Sequence, residues 1–170
     1  MAFLALLERA RRVMPDLSVR STFIVGFPGE TEAQFEELLS FVQEARFDHA
    51  GGFIYSPEED TVAARLPEQV PGEVARERLR RLMDVVVAGA EERHRGVVGA
   101  CLPVMIDSLD PEEGGEGGVA VGRTEGQAPE VDGVTYVEGE LPAGVKPGDV
   151  IPVVIDAAVG YDLIGRYCAS

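Results

Sequence analysis

Thr22-Phe23-Ile24-Val25-Gly26-Phe27-Pro28-Gly29-Glu30-Thr31 joins a β-branched and aromatic run to a helix start through a glycine-proline-glycine turn. Thr22 to Val25 has the composition of a strand covered on both faces. Gly26 and Gly29 permit a tight turn or a close backbone approach to a ligand, and Pro28 cannot continue a central strand. Thr31 and Gln34 stand at capping-box spacing, with Glu32 in the first turn, where the positive end of the helix dipole favours a carboxylate. The helix that follows carries Phe35, Leu38, Leu39 and Val42 on one stripe and ends near Arg46. Gly26-x-x-Gly29 matches neither the Walker loop nor the dinucleotide fingerprint, so ATP and NAD are disfavoured.

Outward from this unit the pattern predicts a helix over 2–14, strands over 19–25 and about 49–55, a helix over 32–45 and a long helix over about 72–95. Such alternation implies parallel strands with crossover helices, part of an α/β sheet or barrel. Two strands cannot complete one, and an open edge leaves backbone groups unpaired. An upstream segment or a partner is expected to supply the rest. From 99 onward the period shortens, with strand candidates at 101–106, 119–123, 135–138, 150–156 and 163–167. Five short strands between glycine, proline and aspartate turns predict a small barrel of the oligonucleotide-binding type. The expected fold is therefore an α/β partial barrel over 1–95 followed by a small all-β barrel over 96–170. The acidic, glycine-rich stretch 110–118 reads as a solvated hairpin connection.

The chain has 170 residues, 45% of them apolar, enough to build cores. Its 15 Lys and Arg against 30 Asp and Glu give a net charge of −15, the wrong sign for gripping phosphate backbones. Residues 1–98 carry 12 basic and 17 acidic side chains, whereas 99–170 carry 3 and 13. A basic partner suits that second part. The two cysteines, Cys101 and Cys168, match no zinc or cluster spacing and read as buried or idle thiols in a reducing cytoplasm. The apolar start at 2–7 is broken at once by Glu8 and the arginines at 9, 11 and 12, so it reads as an amphipathic helix, and no run reaches membrane-spanning length. The long helix places Val74, Leu79, Leu82, Met83, Val86 and Ala90 roughly on one face, as a packing helix would. His94 near its end reads as a capping or surface histidine and His49 as a lone one, neither with a metal-like partner.

Several stretches in order resemble a known family. Thr22 to Thr31 continuing through Glu32-Ala33-Gln34-Phe35, then Tyr55-Ser56-Pro57-Glu58-Glu59 and Ala63-Ala64-Arg65-Leu66-Pro67, are similar to the late barrel of radical-SAM methylthiotransferases. Gly122-Arg123-Thr124-Glu125, Ala128-Pro129-Glu130-Val131-Asp132-Gly133, Pro147-Gly148-Asp149 and Tyr161-Asp162-Leu163-Ile164-Gly165 resemble that family's TRAM domain. The Ala128 to Gly133 stretch is similar to the branch that modifies ribosomal protein S-twelve, rather than to the tRNA-modifying relatives. The sequence departs from the family at Asp60 and Val62, where glycine and a residue such as proline are usual, and Gly51 and Gly52 are unusual for their strand.

The resemblance implies an enzyme that places a methylthio group on an aspartate β-carbon, using S-adenosylmethionine and two 4Fe-4S clusters. One cluster is held by C-x-x-x-C-x-x-C and the other by three cysteines of an N-terminal domain, and none of these cysteines occurs in this sequence. The chain is accordingly expected to be the last third of such an enzyme, cytoplasmic, inactive alone and without a bound cluster. The resemblance puts Val25, Gly26 and Glu30 where a late strand approaches S-adenosylmethionine, with Tyr55 and Ser56 following the next strand at the same mouth. For Glu30, acceptance of hydrogen bonds at the helix start is the bland alternative, and for Tyr55 a half-buried core position with a locally satisfied hydroxyl. Glu130 and Asp132 are expected on an acidic face that meets a basic ribosomal protein of the small subunit, and direct nucleic-acid binding is disfavoured. The alternatives are a stand-alone acidic module that only docks such a protein, and a tRNA-modifying relative.

Overall fold

The β-branched run at 20–25 becomes strand β1 (Arg20–Val25), and the capped amphipathic stretch after it becomes α2 (Glu32–Ala45), preceded by α1 (Ala2–Val13) and followed by β2 (His49–Ile54), a short 3-10 turn at Ala63–Arg65 and α3 (Gly72–Arg95). The structure is a computed structural model, which describes residues 2–15, 17–110 and 119–169. The chain separates into two compact units, Met1–Gly89 and Ala90–Ser170. The expected acidic hairpin connection at 110–118 falls, from 111 onward, outside the described residues.

In the first unit β1 and β2 pair in parallel, Arg20 opposite His49 and Val25 opposite Ile54, with α2 as the crossover. Thr31 closes a complete capping box: its hydroxyl accepts the Gln34 N–H at 3.3 Å, and Gln34 Oε1 accepts the Thr31 N–H at 2.9 Å. Phe35, Leu39, Val42 and Ala45 are the buried stripe of α2. Phe23 meets Phe41 and Phe47 edge-on, with ring centroids 6.4 and 5.6 Å away, so one face of β1 is sealed by aromatic packing.

The other face is not covered as the sequence predicts. Ile24 and Phe53 stand opposite each other in the register and remain 57% and 64% exposed. None of the described residues of α1 is buried. Among the described residues β1 pairs only with β2, so the expected open edge is present.

Of the expected stripe of α3, Leu82, Val86 and Ala90 are buried, Leu79 and Met83 half-buried, and only Val74 exposed. Ala75, Arg78 and His94 are buried beside them, so an arginine sits in the apolar line. Gly52 explains itself here: a Cβ on it would lie 2.7 Å from Leu79 Cδ1 and 2.9 Å from Leu82 Cδ2. The helix crosses β2 where no side chain stands.

In the second unit β3 (Cys101–Asp110), β4 (Val119–Thr124), β5 (Thr135–Glu138), β6 (Val150–Val159) and β7 (Asp162–Tyr167) close into a barrel in the order β3-β4-β5-β7-β6. All pairings are antiparallel except β5 with β7. This is the five-stranded barrel that the strand spacing predicts. Val104, Ile106, Ala120, Val137, Ile151, Val153, Ile155 and Leu163 fill its interior. β3 and β6 run beyond their predicted ends, because register shifts at Ile106/Ser108 and Ile155/Ala157 break the period-two pattern on which a strand is recognised. A Cβ on Gly122 would lie 2.3 Å from Met105 O, and one on Gly165 2.3 Å from Val154 O. Both positions need glycine for the strands to approach.

His94 is neither a surface group nor a cap. It is 8% exposed, with Nδ1 2.8 Å from Gly160 O and its ring edge-on to Tyr161.

Candidate functional site

Parallel pairing brings the carboxyl ends of β1 and β2 side by side, and five of the residues singled out by sequence meet there. The Tyr55 N–H donates to Val25 O at 2.9 Å, and the Gly26 N–H donates to Glu30 Oε2 at 3.1 Å. The peptide between Val25 and Gly26 is thereby bonded at both ends. Gly26 has φ +75°, and a Cβ there would lie 2.7 Å from Ala75 Cβ on α3. Left-handed backbone and close helix approach both require glycine. Gly29, at φ +82°, donates its N–H to Glu68 O at 2.9 Å, which ties the turn to the segment before α3.

Glu30 is not engaged with the helix start. Its Oε1 accepts from Arg78 Nη1 at 2.7 Å, and Arg78 Nη1 also donates to the Glu30 carbonyl at 3.0 Å. Arg78 bonds Glu32 Oε2 at 3.2 Å through Nη2. Arg81 donates to Glu32 and to Glu36. Both guanidiniums lie over the Phe35 ring, 5.5 and 4.9 Å from its centroid. Hydrogen bonds from Arg81, then from Arg78, hold the Glu32 carboxyl below the usual carboxylate range.

Tyr55 stacks edge-on against Phe27, with ring centroids 5.1 Å apart. Its hydroxyl oxygen is buried and has no hydrogen-bond partner, so the locally satisfied hydroxyl of the bland alternative is not found. Ser56 is exposed beside it. The rim thus carries an aromatic pair, with a buried and unpartnered hydroxyl on Tyr55. Among the described residues no group of three or more His, Cys, Asp or Glu could hold a metal ion.

In the barrel, Glu130 and Asp132 share one turn but differ in role. Glu130 is exposed at φ +60°, whereas Asp132 Oδ2 accepts the Ala128 N–H at 2.7 Å and shapes the turn. A Cβ on Gly133 would lie 2.0 Å from Tyr161 O, so the turn presses on the β6–β7 connection. Burial, followed by the Asp132 charge, raises the Tyr161 pKa, and its hydroxyl has no hydrogen-bond partner. Cys101 is exposed and Cys168 partly so; the neighbouring Cys168 thiol pushes the Cys101 pKa up. Of the two readings, buried or idle, the exposure of Cys101 and the partial exposure of Cys168 set aside the buried one.

Sequence reasoning missed two residues. Arg78 fastens the whole Gly26 to Glu30 turn, and the available signal was an arginine in phase with Ala75 and Leu82. Gln127 Oε1 accepts from the Thr124 N–H at 2.9 Å and from the Thr135 hydroxyl at 2.7 Å, an internal tie that no periodicity announces.

The TRAM domain family matches residues 98–168. The ribosomal protein uS12 methylthiotransferase RimO of Thermosynechococcus vestitus is 48% identical over 165 residues, covering 97% of this chain and 35% of that protein. The protein of the same name from Pectobacterium atrosepticum is 46% identical over 159 residues, 94% of this chain and 34% of its own length. That of Citrobacter koseri is 48% identical over 162 residues, 95% and 35% respectively. The chain spans about a third of the length of the curated relatives it matches.

Proposed function

We propose that this chain, a relative of the RimO methylthiotransferases with a TRAM domain at 98–168, is the carboxyl-terminal part of an enzyme that methylthiolates an aspartate β-carbon of ribosomal protein S-twelve. In this reading 1–95 is the end of a radical-SAM barrel and 96–170 the domain that meets the substrate protein. The observation that carries it is 46–48% identity over nearly the whole chain to proteins bearing that name. The bare edge of β1 and the exposed Ile24 and Phe53 support it, since a barrel continued by further strands would cover both.

The rim at β1 and β2 fits S-adenosylmethionine: the orphaned Tyr55 hydroxyl can serve a polar edge, Phe27 and Tyr55 form an apolar wall, and Gly26 lets the backbone come close. When bound, that cofactor supplies the radical that abstracts a hydrogen. Val25 and Gly26 shape the rim floor, Ser56 sits at its mouth, and Glu30 fixes the turn. Cys101 and Cys168 belong to the second unit and are too few for a three-thiolate set, so these residues do not fit an iron-sulfur cluster. The chain alone is expected to be inactive.

The barrel half, with 3 basic and 13 acidic side chains over 99–170, suits a lysine- and arginine-rich ribosomal protein better than RNA. Glu130 projects that charge. No helix among the described residues is long and apolar enough to cross a membrane. Two measurements test the proposal. The DNA upstream of the Met1 codon should encode an in-frame C-x-x-x-C-x-x-C, and a clean intergenic start would instead favour a stand-alone docking module. Glu130→Lys, which spares the Asp132 turn bond, should weaken capture of the ribosomal protein at low salt, and unchanged capture would remove the acidic face from the proposal.

A further inference from the structure

We infer that Arg78 is a positioning residue of the S-adenosylmethionine rim, setting the Gly26 to Glu30 turn through the Glu30 carboxylate; this rests on the cofactor reading of that rim. Arg78 is 5% exposed, and a buried guanidinium persists only where its donors are paired. Its partners are the Glu30 carbonyl, Glu30 Oε1 and Glu32 Oε2. The second Glu30 oxygen receives the Gly26 N–H, and the carbonyl at the other end of that peptide receives the Tyr55 N–H. One side chain on α3 therefore governs, in three steps, the backbone at the end of β1 and the start of the Tyr55 segment.

The helix is seated on the same turn by a separate contact, Ala75 against Gly26, three residues before Arg78. α3 is thus held near the turn even when the guanidinium is lost, and what the loss releases is the orientation of Glu30. Arginine suits the place better than lysine. Nη1 alone serves both the Glu30 carbonyl and Glu30 Oε1 while Nε and Nη2 reach Glu32 Oε2, so a lysine ammonium at this position can keep part of the Glu30 pair but not the whole set at fixed angles. The Glu32 half of the bridge is more exposed and is also held by Arg81 at its other oxygen, so it carries little of the positioning.

The test uses the complete enzyme that carries this chain, with S-adenosylmethionine affinity read by calorimetry and amide exchange read over 25–30 and at Tyr55. Arg78→Met should weaken binding roughly tenfold, the scale of lost outer-layer support, and speed exchange at Gly26. Arg78→Lys should recover part of both, and Glu32→Gln should match wild type in both. Arg78→Met that melts earlier yet binds with wild-type affinity would overturn the inference, since a merely structural arginine behaves that way. If Arg78→Met does not fold, Glu30→Gln replaces it: the amide nitrogen cannot accept the Gly26 N–H, so comparable weakening supports the inference and unchanged affinity overturns it. Wild-type enzyme that binds no S-adenosylmethionine removes the cofactor reading and the inference together, whereas equal binding by wild type and variants removes the inference alone.

Discussion

Between Cys101 and Tyr167 five strands close on themselves and each has two neighbours, whereas β1 and β2 have only each other. The barrel fills its interior with eight buried apolar side chains from all five of its strands. The first unit seals one sheet face with α2 and leaves Ile24 and Phe53 in solvent on the other. On this contrast closure, rather than apolar content, is what we expect to decide which unit folds alone. Expressed separately, 90–170 should therefore unfold in one cooperative thermal transition, and 1–89 should be poorly soluble and melt without one. A sharp calorimetric peak from 1–89 would break the comparison outright.

Glycines give the next largest effects, and they sharpen the contrast. Gly165→Ala drives a Cβ to within 2.3 Å of backbone in a ring that cannot open, so it should cost about 3 kcal/mol in denaturant titrations of the chain. Gly26→Ala meets a side-chain methyl at 2.7 Å and a left-handed φ, about 2 kcal/mol of local strain, but the unit that bears it has an edge along which to yield. Its signature should be faster exchange around 25–30 rather than a shift of the barrel's midpoint.

How much of this was legible follows the same division. The capping box of Thr31 and Gln34, the parallel alternation and the five strands could be read because each rests on neighbours in sequence. Arg78 shows in sequence only as an arginine in phase with Ala75 and Leu82; its partners Glu30 and Glu32 lie more than forty residues away, where no local pattern points. Glu30 sits in the turn the sequence marks and its bond to the Gly26 N–H is local, but its bond to Arg78 depends on where α3 returns. The ends of β3 and β6 were lost at bulges, where inward and outward positions exchange. Asp132 and Glu130 look equivalent in sequence; only the turn shows that one carboxylate is spent on Ala128.

Two orphaned hydroxyls, one in each unit, test whether unsatisfied polar groups mean function. Tyr161→Phe removes a buried donor that nothing accepts, so stability should hold or rise by about 1 kcal/mol. Burial raises the Tyr161 pKa above its ordinary 10.0, so the fold favours the protonated phenol. That contribution is complete below the unfolded value and is lost as pH rises through the higher folded value, and Tyr161→Phe should flatten this alkaline decline. Tyr55→Phe should be equally mild for stability but lower S-adenosylmethionine affinity in the complete enzyme. Equal affinity would make the two orphans alike and leave the rim without its polar anchor.

The smallest expected difference concerns two carboxylic residues in left-handed backbone, Asp60 at φ +67° in the first unit and Glu130 at φ +60° in the barrel. Asp60 stands where the family usually has glycine, which adopts this region freely. Relief of strain by glycine, about 1 kcal/mol, is partly offset by about 0.5 kcal/mol of added freedom in the unfolded chain. The Asp60–Arg65 ion pair, 3.5 Å long and largely exposed, adds little to retain the aspartate. Glu130→Gly should thus stabilise the barrel's cooperative transition by about 0.5 kcal/mol in urea titrations. Asp60→Gly relieves similar strain in the unit expected to melt without a cooperative transition, so the same transition should move less. Equal shifts would mean that both units unfold together, and the division between a self-closed barrel and a dependent α/β segment would then have to be given up.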